Sequence, residues 1–243
     1  EYISGDTTDL TITSGNDIVL ATGTAGSVYN SGDGGTSNTL YGFDAGIALV
    51  SGGNYNTFLG SQAGIAVDSG DNNVAIGRNA LLTHDGGSYN VAIGVGAMAD
   101  TDGHANLKDS LGNVIIGEGT GGGAWAGTAA LNYTVAIGYE TMNGALQSTA
   151  IGTIAIGHHA LSGLTTALGN IAIGHNAANQ ISTGGHNIAI GYAALDGALA
   201  SDDSNIAIGT NALGGTHATT ASTQNIAIGG DSMAGACNDA DNN

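Results

Sequence analysis

The side chains best equipped for chemistry in this chain are few, and several share one spacing. His158 and His175 each follow a glycine and lie 17 residues apart, with Tyr139 and Tyr192 in equivalent places on either side. If that interval is one coil of a stacked fold, the four rings form a surface column. The same column could instead hold a metal shared between subunits, or touch a ligand. His158 and His159 are adjacent, a spacing that puts two rings on opposite faces of a strand. Glu118 and Glu140 are the only glutamates besides Glu1 and lie about one interval apart. A carboxylate pair is what glycoside cleavage needs. Asp100 and Asp102 with His104, and the Asp202-Asp203 pair, offer oxygen ligands for calcium, or simply make solvated turns. Trp125, the only tryptophan, and Lys108, the only lysine, fall with Tyr133 in the longest insertions. The tryptophan either plugs its loop onto the body of the fold or stacks on a sugar. The receptor-binding candidates are therefore Trp125, Tyr133, Asp100, Asp102, His104 and Lys108. Cys237 is a lone thiol, so no intrachain disulfide forms; it is inert or crosslinks chains.

None of the compact motifs that announce catalysis or a cofactor is present. There is no nucleophile elbow, P-loop, H-E-x-x-H, C-x-x-C or EF-hand loop, and no calcium-binding nonapeptide. The expectation is a non-enzyme with no cofactor, no metal and no catalytic residue. Composition narrows the classes further. The 243 residues include 44 glycines and no proline, and only 9% are charged. Lys plus Arg number 2 against 20 Asp plus Glu, a net charge of -18. Two cations, Arg78 and Lys108, cannot line a phosphate backbone, which excludes nucleic acid as a partner. No apolar run approaches the length of a membrane span. Without proline and a glycine at every third residue there is no collagen helix. The chain opens at Glu1 with no apolar leader, which reads as a processed form or a fragment.

The elements that must position these side chains come from a repeat. Pentads ending in glycine recur eleven times: Asn38 to Gly42, Asn56 to Gly60, Asn73-Val-Ala-Ile76-Gly77, Asn90-Val-Ala-Ile93-Gly94, Asn113 to Gly117 and Thr134 to Gly138. They continue with Thr153 to Gly157, then Asn170 to Ile173-Gly174, Asn187 to Ile190-Gly191, Asn205 to Ile208-Gly209 and Asn225 to Ile228-Gly229. The glycines are 17 to 23 residues apart. Five alternating residues suit a short strand, and the glycine ends it where the chain turns. A shorter apolar pair follows, such as Ala80-Leu81 or Ala160-Leu161, and then a polar turn. The expected period is strand, turn, strand, turn: one coil of a parallel solenoid.

The branched residues are expected to face inward and the middle residue outward. That middle residue is alanine in eight of the eleven copies, where a solvated face would show Thr, Lys or Glu. A small apolar residue there implies a second, closely approaching cover, hence an oligomer. The Asn that opens nine pentads either bonds to its copies above and below or serves as a plain turn residue. Eleven coils at ~4.8 Å make a rod on the order of 50 Å long. Residues 1–37 read as a β segment or junction, 38–235 as the repeat domain and 236–243 as a tail.

The run N-V-A-I-G, then x-x-A, then a polar turn resembles the head repeats of trimeric autotransporter adhesins of the YadA type. It resembles more closely the NTAIG-x-x-AL repeats of phage tail-fibre proteins, and the opening DLTITSGNDIVL is similar to segments of such fibres. The resemblance implies an all-β, left-handed parallel β-roll of about eleven coils, assembled as a homotrimeric fibre. It implies attachment through a cell-surface glycan or protein receptor, neighbouring fibre or virion proteins as partners, and a virion or extracellular location. A bacterial adhesin, a self-assembling filament and a glycan-degrading spike are the alternatives.

Overall fold

The computed structural model describes residues 37–49, 52–99, 110–123, 130–145, 150–166, 168–197, 201–215 and 223–235. Among them every regular element is a strand of two or three residues. In chain order these are β1 (Thr39–Tyr41), β2 (Thr57–Leu59), β3 (Val74–Ile76), β4 (Val91–Ile93), β5 (Val114–Ile116), β6 (Leu131–Asn132) and β7 (Val135–Ile137). Then follow β8 (Ala150–Ile151), β9 (Ile154–Ile156), β10 (Ile171–Ile173), β11 (Ile188–Ile190), β12 (Ile206–Ile208) and β13 (Ile226–Ile228). Eleven pentad strands pair in chain order into one parallel sheet, β1-β2-β3-β4-β5-β7-β9-β10-β11-β12-β13. Winding from each strand to the next gives a parallel β-solenoid of about 9 turns. The register never slips: Val74 lies on Val91, Ala172 on Ala189 and Ile208 on Ile228.

Two expectations about the coil are overturned. First, the strand faces are reversed. The middle residue points inward, with Ala75, Ala92, Ala155 and Ala189 fully buried, while the Val and Ile beside it stay partly exposed on the outer face. The interior of a coil this short is too narrow for two branched side chains from one strand, so the small residue goes in. Second, the shorter apolar pair does not form a strand. The second apolar pair sits in a turn, its second member left-handed, as at Leu81 (φ 54), Leu161 (φ 51) and Leu195 (φ 56). Its backbone still bonds from coil to coil, Leu81 N–H to Ala97 C=O at 3.0 Å and Leu161 N–H to Ala177 C=O at 3.0 Å. A minor second strip, β6 with β8 and the bridge from Ser88 to Leu111, runs just before the pentads.

The core follows a reciprocal rule. Where the inward strand residue is large, the position four after the pentad glycine is glycine: Leu40 with Gly46, Phe58 with Gly64, Ile115 with Gly121. Where it is alanine, that position is Leu81, Met98, Met142, Leu161, Leu195, Leu213 or Met233. In the one coil with alanine at both places, Ala172 and Ala178, Ile181 is fully buried. The pairing is physical: a Cβ on Gly64 would sit 2.5 Å from Cε2 of Phe58. Outside the Ala172 coil, each coil thus holds one large side chain at these two facing positions, which keeps the stack packed.

The asparagine ladder exists. The Asn73 N–H donates to Asn56 Oδ1 at 2.8 Å, and Asn73 Nδ2 donates to the turn carbonyl of Gly87 at 2.8 Å. The same pattern joins Asn170, Asn187, Asn205 and Asn225, all buried. These amides act as interior rungs between coils rather than as plain turn residues. The ladder ends at Thr134, whose N–H donates to Asn113 Oδ1 at 3.0 Å, and the Thr153 hydroxyl is buried without a partner. Each pentad glycine carries a positive φ, 130 at Gly77 and 140 at Gly174, and all but Gly229 lie directly against the glycine carbonyl of the next coil. Any side chain there would push the coils apart.

Candidate functional site

The solenoid turns a spacing in sequence into a row in space. The residue after each pentad glycine points to solvent, and four consecutive coils place rings there: Tyr139, His158, His175 and Tyr192, all exposed. Backbone bonds fix the row, since the carbonyls of Tyr139, His158 and His175 accept from the N–H groups of His159, Asn176 and Ala193 at 3.0, 3.0 and 2.9 Å. The rings stack with centroids 5.3, 4.8 and 5.2 Å apart and planes within 16, 3 and 14° of parallel. Each contact of this kind contributes roughly 0.5–1.5 kcal/mol beyond its buried area.

His159 joins the row, which strand periodicity does not anticipate. Its ring lies 4.1 Å from His158 and its Nε2 is 2.9 Å from Glu140 Oε2. Both histidines belong to a turn, where His159 takes φ 56, so the alternation of a strand does not separate them. Glu140 also accepts a hydrogen bond from the Tyr139 hydroxyl. That bond, then the Glu140 charge, slight burial and the Glu118 charge raise the phenol above its ordinary value. Glu118 is exposed one coil below. Glu140 is therefore committed to Tyr139 and His159.

Among the described residues no three His, Cys, Asp or Glu side chains form a group able to hold a metal ion. The geometry gives the reason at the ring row: the lone pairs of near-parallel imidazoles lie in their ring planes and run side by side. Asp203 is spoken for as well, its carboxylate accepting from Ser204 Oγ at 2.6 Å and from the Gly185 N–H at 2.9 Å. The Ser204 bond is the main cause that lowers its carboxyl pKa, with slight burial working against it and the Gly185 bond and His186 adding to it. Asp202 is buried, and its carbonyl accepts from Asn187 Nδ2. No helix of the described residues is long and apolar enough to cross a membrane.

Of the receptor candidates, Trp125, Asp100, Asp102, His104 and Lys108 lie outside the described residues, as does Cys237. Tyr133 is described and exposed, but it belongs to a repeat column and not to an insertion. The residue before each pentad is left-handed in every coil, and Tyr55 (φ 60), Tyr89 (φ 60) and Tyr133 (φ 53) share that place. The third surface feature is the outer face of the sheet, two columns of Val and Ile from β3 onward, preceded by Thr39, Tyr41, Thr57 and Leu59, in which no outward strand position carries a charge. At β13, the last strand among the described residues, Ile226 and Ile228 are 57% and 66% exposed. Compared with protein-family models, with curated proteins and with solved structures, the chain matches none.

Proposed function

We propose that the chain is a segment of a homotrimeric attachment fibre, of the kind found in phage tail fibres or similar surface appendages, that binds a surface glycan or protein receptor. The observation that carries this reading is the uncharged outer face of the sheet, Val and Ile from β3 to β13. A chain of net charge -18 repels its own copies unless the contact surface is free of charge, and this face is free of it while the acidic residues among those described sit outside the strands. Three copies related by an axis along the rod bring the faces together and bury the columns that coil stacking leaves half covered. The ring row and the tyrosine column stay on the outside, repeated around the fibre, so that weak contacts multiply.

The role is non-enzymatic in this reading. The Glu140 carboxylate is tied to Tyr139 and His159, which does not suit a free acid or base paired with Glu118. Immunogold labelling of the source material with antibody against the purified chain tests the assignment. Gold along virion fibres or cell-surface fibres is expected; label confined to cell interiors overturns it.

A further inference from the structure

Between the Ile column and the ring row runs a strip with no side chains at all. Gly138, Gly157, Gly174 and Gly191 occupy it in four consecutive coils, each closed against the carbonyl of the next. On one side stand Ile137, Ile156, Ile173 and Ile190, partly exposed; on the other stand the edges of Tyr139, His158, His175 and Tyr192. Because the rings stack face to face, their hydrogen-bonding edges are what solvent meets.

We propose that this strip is a binding track for a linear, uncharged polysaccharide lying parallel to the solenoid axis. The proposal rests on the attachment reading above and names its ligand class. An extended chain of equatorially linked pyranoses advances about one coil height per sugar. One ring edge can therefore meet each successive sugar in the same way. The flat faces of the sugars suit the glycine floor, which carries no side chains, and their hydroxyls suit imidazole nitrogens and the Tyr192 phenol. Glu118 and Glu140 beside the row, on a chain of net charge -18, disfavour uronate, sulfate or phosphate polymers. Glu140 holds Tyr139 and His159 in place through its bonds to both.

Affinity electrophoresis of the full chain in gels containing hydroxyethyl cellulose or alginate tests it. Retardation by the neutral polymer and none by alginate is expected. The double variant His158→Ala/His175→Ala is expected to weaken retardation at least tenfold, and Tyr192→Phe by a smaller factor. Leu168→Ala, at an exposed apolar residue outside the ring row, leaves it unchanged. Unaltered melting of the ring variants verifies that the solenoid is intact. No retardation in the neutral gel, retardation by alginate alone, or retardation unaffected by the double variant overturns the track. If immunogold still places the chain on fibres in those cases, the attachment reading stands without it.

Discussion

The two faces of each three-residue strand obey opposite rules. On the inner face size is compensated within the coil: Phe58 faces Gly64, whereas Ala75 is matched by Leu81. On the outer face nothing compensates; Val and Ile repeat in coil after coil and remain half covered. The inner face is thus complete within one chain, while the outer face is the one the proposed fibre contact covers. A coil can exchange its inner pair as a unit, but its outer pair must stay apolar wherever a neighbour is to sit.

The strongest way to break this contrast is to install one half of an inner pair. Ala75→Phe overfills a coil already holding Leu81 and is expected to cost about 3 kcal/mol, as overpacked cores do. Adding Leu81→Gly recreates the arrangement of the Phe58 coil and recovers most of that loss. Denaturant melts of the two singles and the double give the coupling, which exceeds about 1 kcal/mol if the rule is physical.

A second core position sharpens the contrast with pH. Seven residues past the pentad glycine, Leu49, Val67, Leu164 and Ile181 are buried, and in one coil His84 takes that place. Burial lowers its pKa from 6.5 to about 4, so the folded coil holds a neutral ring. Between those values the unfolded chain binds the proton and the folded one does not. Stability from this group is therefore whole above about pH 6.5, falls as pH drops towards 4, and falls no further below it. The full span corresponds to about 3 kcal/mol. His84→Val is expected to flatten the difference, read as melting temperature against pH for both proteins.

The asparagine ladder gives a smaller pair of effects. Asn187→Ala removes the bonds that its side chain makes with the Asn205 N–H and the Asp202 carbonyl inside the roll, at a cost of about 2 kcal/mol. Thr153→Asn extends the ladder across its gap and is expected to stabilise by about 1 kcal/mol, measured in the same melts.

The parallel solenoid and its coil boundaries were legible because the pentad recurs in register; the asparagines were aligned by it, but a rung and a plain turn residue have the same spacing, so their bonding was not. The direction of the strand faces was not. Hydropathy ranks isoleucine above alanine as a core residue but carries no knowledge of how wide the interior is. The signal that settles it was in the chain, in the exchange of size between Leu40 and Gly46, Phe58 and Gly64, Ile115 and Gly121. The ring row was legible at His158 and His175 from their common place after glycine. His159 was missed because strand alternation was applied to a residue in a left-handed turn. Tyr133 was assigned to an insertion by the length of its interval, although it shares a column with Tyr55 and Tyr89.

The claim that the outer face belongs to other copies of the chain is tested most directly by mass in solution. Light scattering on the purified full chain is predicted to give three times the mass of one chain. Ile173→Asp/Ile190→Asp, placed where the outer columns are continuous, is predicted to give single chains whose circular dichroism still shows the β-solenoid. A wild-type chain that runs as a monomer, or a double variant that keeps the threefold mass, would contradict it.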